Sequence, residues 1–219
     1  MRHSQGSSLD SDLLTAAFPP RLAEDVRSAL AVMPVGALPP ADSFSVEVRG
    51  ETVAIPTRMH HAEPDADAEG SLTGTQRLVL DCLYSRHGDG RVRERRARTM
   101  VASDEPWVAP FVVQLAGEYV VEILEVIREG LSGLDVPESP ERRTYGEFIA
   151  RNPAFYARTE RRAVSYWSCF HRRKYPVFGT YPGGVLAEAF RAAASEHAGV
   201  RWPRHTPPGL PHGRVAEPG

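Results

Sequence analysis

Lysine is almost missing from this chain: Lys174 is the only one in 219 residues, so nearly all of the positive charge sits on arginine. Cysteine is almost as scarce. Cys82 and Cys169 lie 87 positions apart, form no Cys-x-x-Cys pair and suit a reducing compartment. A Gly-rich phosphate loop, Gly-x-Ser-x-Gly and His-Glu-x-x-His are all absent, so no familiar nucleotide-binding or hydrolytic motif directs the reading. Glu-x-x-His is absent too, which denies a carboxylate-bridged metal site its histidine donors. No large excess of charge of either sign exists, the net being −2, so attraction to nucleic acid or to an acidic membrane would need a local patch. Ser, Asp and Gly interrupt any apolar run up to Asp12, and the expectation is no secretory signal and a cytoplasmic location.

What the chain does have is 42% apolar residues, enough for one sizeable core. The segment from Trp107 to Leu131 carries the longest regular period. Val108, Val112, Leu115, Tyr119, Ile123 and Ile127 fall on one broad side at helical spacing, with Gln114, Glu118, Glu122, Glu125 and Glu129 on a narrow polar strip. This predicts one central helix over about 107–131, wet along that strip, opened by a capping turn at Asp104–Trp107 and closed at Gly130. The same glutamates argue against a membrane span.

Around that helix the expected fold is mainly α: an irregular helical bundle or short stack of helices, with a small N-terminal β-hairpin over about 44–55. Placing the turn at Gly50–Glu51 sets Val48 opposite Val53 and Val46 opposite Ile55. Residues 1–8 read as a disordered lead, 9–198 as one mostly helical domain, 61–70 as a solvated acidic linker within it, and 199–219 as a disordered Pro-rich tail. Further helices are expected at 75–86, at 91–101 with Asp89 as its cap, and from Pro153, capped by Asn152, to about Arg173.

Asp89-Gly-Arg-Val92-Arg93, with Ala97 beyond it and Glu118-Tyr-Val120 about 28 residues later, resembles the second-helix start of HEAT-like repeats over residues 75–131. The resemblance implies that Val92 packs on a neighbouring unit and that Arg93 ties adjacent turns. Arg96 and Val121 depart from that pattern, which prefers a small residue and an arginine there. The stretches at 80–90, 117–123 and 165–170 are also similar to a group of bacterial helical proteins of no assigned function.

Three functional readings are open. The first is a non-catalytic helical module that offers a charged face to another protein. The second is nucleic-acid or polyanion binding through Arg91, Arg93, Arg95 and Arg98, which with Arg96 and offset only by Glu94 give a local charge of +4, joined by Arg158, Arg161, Arg162 and Arg172. Tyr166, Trp167 and Phe170 are expected on the opposite, apolar side of that last helix, which weakens this reading. The third is an enzyme built on His87 and Asp89 in the His-Gly-Asp-Gly loop. Cys82, His87, Cys169 and His171 lack the spacing of a zinc module, so no metal or cofactor is implied. Nothing in the residues sets an oligomeric state.

Overall fold

The computed structural model describes residues 10–36 and 38–207, which leaves the lead at 1–8 and the end of the tail outside the described residues. After α1 (10–15) and a 3-10 turn at Pro20–Leu22 come α2 (Ala23–Ala31) and the hairpin of β1 (Ser43–Val48) and β2 (Glu51–Pro56). Next along the chain are α3 (Ala66–Gly70), α4 (Gly74–Tyr84), α5 (Gly90–Met100), α6 (Ala109–Leu115), α7 (Val121–Gly130), α8 (Pro140–Arg151), α9 (Pro153–Tyr166) and α10 (Pro182–Ala198). The fold is mainly helical, as the apolar periods predict.

α8 and α10 run against each other, α4 packs between α2 and α5, and α7 lies between α5 and α10. Their apolar faces close over one core in which Phe18 stacks on Phe111 at 5.4 Å and Phe44 on Phe155 at 5.2 Å. Thr73 and Gln76 form a reciprocal capping box that starts α4, and Asp89 caps α5 through the Arg91 amide.

The hairpin turns earlier than expected. Arg49 and Gly50 both take positive φ, so Val48 pairs with Glu51, Val46 with Val53 and Phe44 with Ile55. The pairing shifts by two residues, which leaves the same side chains on the apolar face. Both edges are held: the Ala54 amide donates to the Ala16 carbonyl, while Asn152 accepts from the Glu47 amide and donates to its carbonyl. Asn152 therefore makes no side-chain cap for α9.

The central helix is not continuous. A 3-10 turn at Pro106–Val108 leads into α6, the chain leaves helical geometry at 116–120, and α7 starts after an extended Val120. Leu115 and Ile123 are fully buried as the period requires, but Tyr119 is 45% exposed and Glu118 is wholly buried, the reverse of their expected places. No helix is long and apolar enough to cross a membrane among the described residues.

Two segments read as structureless carry contacts. Residues 61–70 contain α3, and Glu63 and Glu69 bind Arg96. Beyond Gly199, Trp202 packs on the core and Arg204 pairs with Glu188, so the chain stays on the surface of α10 through residue 207.

Candidate binding face

The break between α6 and α7 is where the charged residues converge. Gly117 favours the close approach of α9: a Cβ there would stand 3.2 Å from both the carbonyl oxygen and the methyl of Thr159, so any larger residue would push α9 back by a few tenths of an ångström. That approach brings Arg162 beside Glu118. A second tie comes from the segment before residue 61, where the Met59 amide donates to the Arg86 carbonyl and the Gly88 amide to that of Met59. This strand-like bridge carries Arg58 to the same place.

Glu118 is thus ringed by four guanidiniums. Arg58 Nη2 stands 3.2 Å from Oε1 and 3.4 Å from Oε2, Arg162 Nη2 and Arg86 Nη2 lie 3.6 and 3.8 Å from Oε1, and Arg93 Nη2 lies 3.5 Å from Oε2. Burial on its own would raise the Glu118 carboxyl, but Arg86, Arg58, Arg93 and Arg162 hold it below the usual carboxylate range. The cost shows on Arg86. Burial pushes Arg86 down to about 9; Glu118 opposes the shift while Arg58, Arg162 and Arg93 add to it.

The two inner arginines lean on backbone oxygens. Arg86 donates to Pro56 and Thr57, and Arg93 Nη1 donates to His87 at 2.8 Å and Gly88 at 2.9 Å. Arg93 Nε and Nη2 are nevertheless buried without a hydrogen-bond acceptor. The two outer ones reach the surface: the Arg58 and Arg162 side chains are 27% and 29% exposed.

Above this ring lies a strip that the helical period alone misplaces. α9 gives way at Trp167–His171 to a π-helical turn, whose extra residue per turn rotates the side chains beyond it. Trp167 stays inside, donating to the Tyr175 carbonyl and meeting the Phe178 ring at 5.4 Å, but Phe170 emerges 66% exposed. Arg158, Arg162, Tyr166 and Phe170, spaced by four, line up along one side. Arg162 lies over the Tyr166 ring at 6.0 Å, Tyr166 stacks with Phe170 at 6.3 Å, and Tyr119 joins both. The His171 ring nitrogen Nε2 pins that tyrosine by its backbone, 2.7 Å from the Tyr119 carbonyl oxygen. Aromatic rings and arginines therefore share a face, contrary to the expectation from the wheel. Arg158, Arg161 and Arg172 are exposed, Arg172 lying over the Trp167 ring at 5.4 Å.

The α5 arginines do not form the basic face expected of them. Arg93 belongs to the Glu118 ring, Arg95 pairs with Glu63 and Arg98 with Glu94 at 2.7 Å, which leaves Arg91 outward. Arg96 is buried among Glu63, Glu69 and Asp81, and over the Tyr84 ring.

His87 and Asp89 serve the backbone. The His87 ring nitrogen Nδ1 accepts from the Asp89 amide at 3.0 Å, and Asp89 accepts from the Arg91 amide at 2.8 Å, so the two side chains do not act on one another as an acid and base would. Cys82 is buried in the core and Cys169 exposed on the π turn, and among the described residues no three metal-ligating side chains come together. No family model, curated protein or solved structure matches the chain.

Proposed function

We propose that this chain is a non-catalytic recognition module that takes a protein partner on the α9 strip. The observation that carries this reading is the exposure of Tyr119 and Phe170 against the half-buried Tyr166, beside the exposed Arg158 and the half-buried Arg162. Aromatic rings and arginine are the side chains in which interface binding energy concentrates: the rings bury large areas with few rotamers to freeze, and the guanidinium combines planar stacking with five hydrogen-bond donors. An exposed phenylalanine contributes little to a monomer's stability, and its cost in water is recovered only under a partner.

The same pairing of stackable rings with guanidiniums supports a second reading, single-stranded nucleic acid. A photo-reactive phenylalanine analogue placed at position 170 in the native host separates the two. The protein-partner reading expects a discrete protein adduct that disappears when Arg158 and Arg161 become alanine, with none from a control at the exposed Arg27 of α2. A nuclease-sensitive adduct selects the second reading. Equal labelling from positions 170 and 27 removes both.

A further inference from the structure

We propose that Arg58 and Arg162, standing side by side on Glu118 with Arg93 behind them, form a subsite for a dianionic phosphate monoester. This rests on taking the α9 strip as the binding face. Four guanidiniums contact one carboxylate, so the ring keeps a surplus of three positive charges around a fully buried oxygen pair. Both outer guanidiniums converge on the same oxygen, Oε1, and both side chains are partly exposed. Among the described residues Arg162 makes no hydrogen bond, and Arg58 Nη1 has only a long contact of 3.5 Å to the His87 carbonyl. Their free N–H groups are the donors a tetrahedral oxyanion takes up, and guanidinium forks fit phosphate oxygens in pairs. A carboxylate ligand would cancel one of the surplus charges and a phosphate monoester two.

The neighbouring rings select what carries the phosphate. Arg162 lies over Tyr166, and Tyr119 stands 5.7 Å from that ring, so an ester group with a flat ring finds a stacking wall next to the phosphate donors.

Titration calorimetry on the full chain with inorganic phosphate, phenyl phosphate and a nucleoside 5′-monophosphate tests this. The expected result is binding of all three, tighter for the two aromatic esters, with a loss of about tenfold or more in R58A and in R162A, the size of one charge-assisted hydrogen bond. R95A, outside the ring, leaves affinity unchanged. Y166A weakens the aromatic esters and not inorganic phosphate, and the better of the two esters tells a phenolic from a nucleotide source. Both ring variants lie partly in solvent, and circular dichroism confirms that they fold. No binding of any probe, or binding that R58A and R162A leave intact, overturns the subsite. An adduct at position 170 without phosphate binding keeps the face and removes the subsite, whereas phosphate binding without an adduct keeps the subsite and removes the protein partner.

Discussion

Two buried charge clusters stand in this protein, and they are near mirror images. In one, Arg96 is enclosed by Glu63, Glu69 and Asp81; in the other, Glu118 is enclosed by Arg58, Arg86, Arg93 and Arg162. The first is the more fully hydrogen-bonded: Arg96 Nε alone lacks an acceptor, although the Glu63 and Glu69 side chains are 28% and 24% exposed. Arg96 Nη1 and Nη2 each donate to two carboxylate oxygens, with 2.9 Å to Glu63 and 3.0 Å to Asp81, and the network draws the 61–70 segment onto α4 and α5. The second is open. Only Arg58 makes hydrogen bonds to Glu118, the other contacts being longer ionic ones, and two of its four cations reach solvent. An ion cluster whose central group is hydrogen-bonded to each of its partners is a clamp that holds segments, whereas one with spare donors at its rim retains capacity for a ligand.

The largest expected effect breaks the clamp. R96M leaves three carboxylates facing one another and should lower unfolding free energy by about 3 to 5 kcal/mol in urea titrations. E118Q should cost less, about 2 kcal/mol, because the inner arginines keep their carbonyl acceptors and the outer ones turn to water. Equal costs for the two variants would mean that the Glu118 ring is as closed as the other, and the contrast would be lost.

pH sharpens the comparison further. Burial raises the Asp81 carboxyl from 3.8 to about 6, against the opposing pull of Arg96. The folded state therefore holds this proton where the unfolded state has released it. Its contribution is fully present below 3.8 and is lost as the pH rises through about 6. Glu118, held low, contributes in the opposite sense: its share is present above its ordinary value and is lost as the pH falls. The stability of D81N relative to wild type should thus improve between about pH 4 and pH 7. A difference that stays constant over that window would contradict the assignment. The smallest effects belong to the surface: F170A and R98A should change stability by no more than about 0.5 kcal/mol, and an F170A variant that unfolds would place that ring in the core rather than at a binding face.

Much of this fold can be read from apolar periods. The hairpin face, α4, α5, α9 and the Asp89 cap arise from local patterns, since each depends on neighbours within a turn or a strand pair. The break at 116–120 hides because Leu115 and Ile123 keep the phase of one helix across it. Gly117 in mid-pattern is the one local signal, a residue that costs a helix stability unless something packs against it. The π turn hides for a similar reason, as a single inserted residue per turn leaves composition untouched and turns only Phe170 outward. The Glu118 ring has no local signature at all. Its members come from a loop at 58, the turn after α4, α5, the break and α9, and only the tertiary fold brings them together.

The most direct test of an open Glu118 ring against a closed Arg96 clamp is an arginine side-chain 15N NMR titration with phenyl phosphate. An open ring predicts that the Nε–H signals of Arg58, Arg93 and Arg162 move together with one saturating affinity while those of Arg95, Arg96 and Arg98 stay in place. Arg96 moving with them, or small linear shifts spread over every exposed arginine, would contradict it.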